Sequence, residues 1–451
     1  MTPTALAEAV ADRYADAGNG PTTITGLQRL TGGASRETWS MTAVSDRSPD
    51  TELILRRDPP GLEEPERMAL EAASIIEARR AGVPVPRLYA HSRPGTTDDT
   101  LGTAYMLMEK LPGEALPQRL LRDPEYADIR PRLAYEAGRT LARIHRMDPE
   151  RVAGLADQDP IESLFPLYLS IGSRLPALDL AFRWLREHRP ETTRKAVVHG
   201  DFRNGNLLVE PDGIRAVLDW ELVHLGDPME DLGWLCTKTW RFGSSAPVGG
   251  FGERDELFRG YADECGVAPD PAAVHWWEVY GTLRWAYMCR LQASRGSDSG
   301  SNPLELLAIG RRITECEHDL LNLLGVGTAE RPSTPPEGPA DDDLFGTPSA
   351  AALLGAVRGF VRSQSDDATG RSRYLGRVAG NVLGVVEREL TTGDAARRDH
   401  RARLAALNLR SEAELAVALA EGALSIETAE VADAVRGAVA ARLAVAAPNY
   451  V

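Results

Sequence analysis

Asp201, Asn206 and Asp219 are the residues on which chemistry can be built. Asp201 sits in His199-Gly200-Asp201, Asn206 returns five residues later, and Asp219 follows the apolar run Ala216-Val217-Leu218 and precedes Trp220-Glu221. An acid on a loop, then an amide and a second acid at strand ends, is a layout suited to phosphoryl transfer from ATP. The first Asp orients and deprotonates an attacking hydroxyl, while the Asn and the second Asp hold Mg²⁺ against the phosphates. Oxygen-only donors suit Mg²⁺, which keeps several waters and takes one or two carboxylates plus phosphate. The bland alternative is a buried hairpin whose Asp and Asn merely cap turns, and the elements upstream decide between the two.

Those elements must present the three side chains together. Val197-Val198 and Leu207-Leu208-Val209 read as short buried strands, and Ile214 to Leu218 as a third. Pro211-Asp212-Gly213 is turn chemistry, so the last two strands form a hairpin. Upstream, Ile24 to Thr31 and Thr38 to Val44 are strands flanking Gly32-Gly33-Ala34-Ser35, a hairpin whose bare backbone can approach a phosphate. Glu52 to Arg56 is a third strand, and Glu64 to Ala81 a helix closed by Gly82 and Pro84. Ala104 to Glu109 is an apolar strand running into Lys110-Leu111-Pro112-Gly113. Helices are expected at Thr4–Ala17, Ile129–Met147, Leu178–His188, Glu253–Cys265, Pro271–Ala293 and Pro303–Leu324, with a Ser/Gly-rich loop at Gly296–Asn302. Asp227-Pro228 with Glu230 reads as a helix start.

With these residues in place the sequence resembles the aminoglycoside-phosphotransferase family of small-molecule kinases. His199-Gly200-Asp201 with Asn206 is similar to that family's catalytic loop, and Leu218-Asp219-Trp220-Glu221 to its metal-binding strand end. Leu55-Arg56 followed by Pro59-Pro60-Gly61 resembles the subfamily related to kinase domains fused to acyl-CoA dehydrogenases. The resemblance covers residues 20–325 and implies an α+β, bilobal protein-kinase-like fold: a small β-rich N-lobe, a larger helical C-lobe, and here a C-terminal all-α domain. It implies Asp201 as catalytic base and Asn206 and Asp219 as Mg²⁺ ligands. Gly32, Gly33 and Ser35 would cover the ATP phosphates, Arg56 would hold them with Glu71 as its partner, and the main chain at Glu109 and Leu111 would meet the adenine. Arg203 is a candidate for the transferring phosphate, with a structural salt bridge as its alternative. His145 is expected to be a packed structural histidine, and Asp231 to pin the catalytic loop.

At 451 residues the chain is too long for one core. The expected domains are 1–108 (N-lobe), 109–325 (hinge and C-lobe), 326–343 (a Pro/Asp-rich linker) and 344–451 (a helical domain). In the last, Leu375, Val378, Val382 and Val386 share a face, and a homodimer or protein partner is the expected role. A net charge of −15 argues against a nucleic-acid partner. Hydrophobic residues at 43% without an apolar run of membrane-spanning length argue against the membrane and for a cytoplasmic protein. The four cysteines show no metal or disulfide spacing. The expected activity moves the γ-phosphoryl group of Mg-ATP to a hydroxyl of a small molecule, either an aminoglycoside-like compound or a metabolite such as a hydroxyacyl-CoA. For the latter, Arg284, Arg290, Arg295 and Arg311-Arg312 are candidates for a basic entrance. The alternative is a nucleotide-binding pseudoenzyme acting through its C-terminal helical domain.

Overall fold

The computed structural model describes residues 2–30, 36–45, 48–96, 101–191, 194–298, 304–330, 350–366 and 368–451. Contacts divide the chain into two compact units, Met1–Gln158 with Pro190–Glu278, and Asp159–Arg189 with Val279–Val451.

The first unit opens with a five-stranded antiparallel sheet. Its strands are β1 (Thr23–Leu30), β2 (Glu37–Ser45), β3 (Ser48–Arg57), β4 (Leu88–His91) and β5 (Tyr105–Glu109), in the order β1-β2-β3-β5-β4. Alternation along β3 decides what each face does. Leu53 and Leu55 are fully buried in one cluster with Leu6, Val10 and Tyr14 of helix Pro3–Tyr14. Ile54 and Arg56 therefore point the other way. The helix Pro65–Arg80 starts on Pro65 and ends where Gly82, at φ +80°, donates its N–H to the Arg79 carbonyl and Val83 donates to Ala78. Met68, Ala72, Ile75 and Ala78 form its buried stripe, and Glu71 is buried with them.

Four short strands frame the chemistry: β6 (Ala196–Val198), β7 (Leu207–Glu210), β8 (Gly213–Val217) and β9 (His224–Gly226). β7 and β8 pair as the expected hairpin, whereas β6 pairs with β9, a strand the sequence reading did not contain. Asp201 to Asn206 is thus the β6–β7 connection, and Asp219 lies two residues past the end of β8. Helices Leu133–Ile144 and Arg254–Cys265 cross at two glycines. A Cβ on Gly138 would lie 2.1 Å from the Leu257 carbonyl oxygen, and one on Gly260 2.0 Å from that of Tyr135. The aromatic run on helix Pro271–Asp298 is largely core, with Trp276, Trp277 and Tyr280 buried. That helix runs past the expected Ala293 and takes in Gly296, because its helical hydrogen bonding continues through the Ser/Gly stretch; residues 299–302 of the expected loop lie outside the described residues.

The second unit is helical. The expected helix Pro303–Leu324 is two, Leu304–Gly310 and Ile313–Leu323, broken at Arg311-Arg312. Helices Ala350–Asp366, Gly370–Ala406, Glu412–Ala420 and Ala429–Ala446 follow. Leu375, Val378 and Val382 are only half-buried and Val386 is exposed; the buried positions of that helix include Gly380 and Gly384. With Gly376 they form a stripe against helix Ala350–Asp366, where a Cβ on Gly376 would lie 2.4 Å from the Ser365 Cβ. Of the expected linker, residues 326–330 carry neither helix nor strand and 331–343 lie outside the described residues. Among the described residues no helix is long and apolar enough to cross a membrane.

Candidate active site

The β6–β7 loop brings the expected base and one expected metal ligand into contact. The Asn206 amide donates to the Asp201 carboxylate (2.6 Å) and to the Asp201 carbonyl (3.0 Å). Arg203 Nε donates to both carboxylate oxygens (3.1 and 3.2 Å), and its guanidinium stacks over the Trp240 ring at 4.5 Å. Trp234 Nε1 supplies a further donor at 2.9 Å. Several donors hold one carboxylate in a single orientation, which is what an orienting base needs. Two glycines permit the loop. Gly200 has φ +76° and a Cβ there would lie 2.4 Å from the Leu222 carbonyl oxygen, and Gly205 has φ +112° beside the Arg203 guanidinium.

The loop is fixed from beneath by Asp231, which is fully buried on helix Met229–Cys236. Its carboxylate accepts the backbone N–H groups of His199 (2.8 Å) and Gly200 (2.9 Å) and contacts His145 Nε2 at 3.1 Å. His145 Nδ1 in turn meets the Tyr261 hydroxyl at 3.0 Å. Asp231 therefore pins the loop through its backbone, and His145 is the structural histidine the reading expected. Burial alone would raise the Asp231 pKa, but its hydrogen bond with His145 holds it below the ordinary carboxylate value. Burial pushes the His199 imidazole down, keeping it neutral, with Nδ1 accepting the Asp201 N–H at 3.2 Å. Asp227 and Glu230 are structural as read: Asp227 caps the Met229 N–H at 2.8 Å, and Glu230 meets His224 at 3.0 Å.

Asp219 joins this loop through the backbone, since Leu218 N–H donates to the Asn206 carbonyl at 2.8 Å. Its φ of +65° is left-handed, a conformation that costs a non-glycine residue about 1 kcal/mol or more and is best tolerated by Asp and Asn. Arg56 spans from Asp219 to Glu71, at 3.4 Å to each. The sequence reading assigned no role to Arg36. This buried guanidinium bridges Glu71 and Asp58, 3.0 Å from the latter, and although burial opposes its charge, Glu71 and Asp58 hold its pKa up. Glu221 stands in the same field: burial, then Asp219 and Glu71, push its pKa up. Arg36, Glu221, Trp234 and Trp240 carried no spacing signal, because their roles depend on which chain segments meet. Glu221 at least stood inside the Asp219-Trp220-Glu221 run.

Asn206 commits its amide nitrogen to Asp201 and so keeps its carbonyl oxygen for a cation, and the Asp219 carboxylate is a third exposed. Two hard oxygen donors on adjacent backbone fit Mg²⁺, which takes one or two carboxylates and fills the rest with water and phosphate. At the expected hinge, Glu109 N–H is spent on the Arg87 carbonyl and Lys110 N–H on that of Glu52 (2.9 Å each). A purine there would have to meet the Glu109 carbonyl and the Leu111 N–H. Gly32, Gly33 and Ser35 lie outside the described residues. The expected basic entrance is committed elsewhere in part: Arg290 donates to the Ile171 carbonyl (3.1 Å), Arg311 pairs with Glu389 (2.8 Å), and Arg312 pairs with Glu315 (3.0 Å).

Residues 26–277 match the family described as the phosphotransferase enzyme family, and residues 366–450 a domain of unknown function. The chain is 31% identical over 249 residues to acyl-CoA dehydrogenase family member 10 of Mus musculus, covering 49% of this chain and 22% of that protein. It is 32% identical over 144 residues to viomycin phosphotransferase of Streptomyces vinaceus, covering 28% of this chain and 48% of that one. The match thus spans less than half the length of either relative. A crystal structure from Ralstonia eutropha, provisionally described as an aminoglycoside phosphotransferase, superposes with TM-score 0.56 at 23% identity, covering 71% of this chain and 99% of the other.

Proposed function

Since this chain belongs to the phosphotransferase enzyme family, we propose that it transfers the γ-phosphoryl group of ATP to a hydroxyl of a small molecule. The observation that carries the reading is the Asp201–Asn206 contact at 2.6 Å, with Asp219 one backbone hydrogen bond away and bridged by Arg56 to Glu71. In the proposed reaction Asp201 accepts the proton of the acceptor hydroxyl as its oxygen bonds to the γ-phosphorus. The bond from that phosphorus to the β,γ-bridging oxygen breaks, and ADP leaves with the pair. Asn206 and Asp219 hold the Mg²⁺ that shields the phosphate charge. Arg56, steadied by Glu71, takes the inner phosphates, and Arg203 stands beside the base to meet the transferring group. Gly32, Gly33 and Ser35 would close over the phosphates, and Glu109 and Leu111 would hold the adenine through their main chain.

Two acceptor classes follow from the relatives. The viomycin phosphotransferase match supports an antibiotic hydroxyl as acceptor, and the solved neighbour described as an aminoglycoside phosphotransferase keeps an aminoglycoside-like compound in the set. The match to 22% of an acyl-CoA dehydrogenase family member supports a metabolite such as a hydroxyacyl-CoA. The C-terminal helical domain is proposed as a dimer or partner surface, supported by the exposed Leu353, Val357, Phe360 and Leu390. The test is ADP release with Mg-ATP across aminoglycosides, macrolides, sugars, alcohols and hydroxyacyl-CoAs, with Asp201→Asn as control. Turnover on one class that disappears in Asp201→Asn supports the reading and names the acceptor. Failure of the protein to bind ATP at all sinks it.

A further inference from the structure

Strand register decides which side chains meet at helix Pro65–Arg80. β2 and β3 pair with Glu37 opposite Arg57 and Thr38 opposite Arg56. Carried one residue past the paired stretch, the same register sets Arg36 opposite Asp58. Opposed residues share a face and faces alternate along a strand, so Arg36, Arg56 and Asp58 project to the side on which Glu71 lies. Arg57 goes the other way and pairs with Glu37 (2.8 Å).

The contacts form a chain of alternating charge. Asp58 accepts from the Glu64 backbone N–H (2.8 Å), where the helix begins, and from Arg36 Nε (3.0 Å). Arg36 Nη1 donates to one oxygen of Glu71, and Arg56 Nη1 reaches the other at 3.4 Å. Arg56 Nη2 then reaches Asp219, also at 3.4 Å. The two arginines differ in what they are free to do. Arg36 is buried between two carboxylates, and Glu71 and Asp58 are themselves only 1% and 2% exposed. Carboxylates so buried need a counter-charge in place. Arg56 is more open, and both of its contacts lie near the limit of hydrogen bonding, so it can turn to a phosphate at little loss. It can do so only while Glu71 does not depend on it. Without Arg36, the buried Glu71 would draw Arg56 in as its counter-charge and hold it back.

We propose that Arg36 is a positioning residue for the nucleotide: it neutralises one oxygen of Glu71, so that the other orients Arg56 and the Arg56 charge stays available to the ATP phosphates. The role rests on the phosphotransferase reading above, and it is confined to the phosphates, which makes it measurable. Mg-ATP and adenosine are each titrated into the full-length protein and their dissociation constants compared. Arg36→Met weakens Mg-ATP roughly tenfold or more, the scale of a hydrogen bond to a charged group. It leaves adenosine, which carries no phosphate, unchanged. In an Arg56→Met background the same substitution costs no further Mg-ATP affinity, because Arg36 acts through Arg56. Arg36→Lys keeps the charge but loses the fork that spans Asp58 and Glu71, and its Mg-ATP affinity falls between the two. Thermal unfolding identifies an Arg36→Met protein that does not fold, in which case Arg36→Lys decides. Three results would overturn the role of Arg36 and leave the phosphotransferase reading standing: folded Arg36 variants that bind Mg-ATP as the wild type does, that lose adenosine in the same proportion, or that lose as much Mg-ATP affinity when Arg56 is already replaced. A wild type that binds no Mg-ATP sinks that reading and this inference together.

Discussion

At the scale of single residues, the site depends on side chains whose work is divided between chemistry and support. Asp201 has donors from Trp234, Arg203 and Asn206, so its orientation is over-determined. Asp219 is held in a left-handed conformation and pairs with Arg56. Its carboxylate is therefore the more exposed of the two and the better placed to take a cation. Asp219→Ala should lower turnover by roughly a hundredfold or more, the scale on which a transition-state charge contact is lost, against a stability loss of only about 1 kcal/mol, since alanine tolerates the left-handed conformation less well than aspartate. Near-normal turnover of that variant in the ADP-release assay would remove Asp219 from the mechanism. The residue types at these positions were legible from the sequence because phosphoryl transfer admits few donor sets. Arg36 was not legible, since an arginine at the start of a strand acquires meaning only when Glu71 and Asp58 arrive from elsewhere in the chain.

At the scale of elements, glycine and charge decide where helices meet. Gly138 and Gly260 let helices Leu133–Ile144 and Arg254–Cys265 approach to backbone contact, and the first of these helices carries His145, the support of Asp231, just past its end. The same crossing is tied by Glu264, which pairs with Arg139 (3.0 Å), Arg143 (3.0 Å) and Arg146 (2.9 Å). Hydrogen bonding to Arg143, then to Arg139, holds its pKa at about 2 against an ordinary 4.5. The folded value is depressed, so the contribution is complete above the unfolded value of 4.5 and is lost as pH falls through about 2. Because the arginines are partly exposed and screened, about 1 kcal/mol is expected. Urea unfolding of the wild type and Glu264→Gln should then converge as the pH is lowered through that window; a constant gap at all pH values would show the cluster to be inert. Periodicity located these helices well and their ends less well. Helix Pro271–Asp298 overran its expected stop and the expected Pro303–Leu324 split in two, because helix termini depend on what the next turn packs against.

At the scale of the whole molecule, the sheet, the β6–β7 loop and the helices beneath it fall in one compact unit, and the segment matching a domain of unknown function falls in the other. A ligand that binds only the folded state adds stability by mass action, about 2.7 kcal/mol at a hundredfold excess over its Kd. ATP should therefore raise the Tm of the intact protein in the presence of Mg²⁺, and chelation of the metal with EDTA should remove most of that rise. A rise indifferent to EDTA would mean that Asn206 and Asp219 do not act through a cation. By itself the sequence determined the α+β class, the strand–loop–hairpin that carries Asp201, Asn206 and Asp219, and the phosphotransferase chemistry those donors permit. These are local matters, set by alternation, turn residues and short spacings. Only the tertiary structure decided that β6 pairs with β9, that His145 is the side chain that meets the Asp231 carboxylate, that Arg36 shares Glu71 with Arg56, and that a glycine stripe rather than the valines is the buried face of helix Gly370–Ala406. Each of these joins residues distant in sequence, and the energy of such a contact exists only once folding has removed both partners from water.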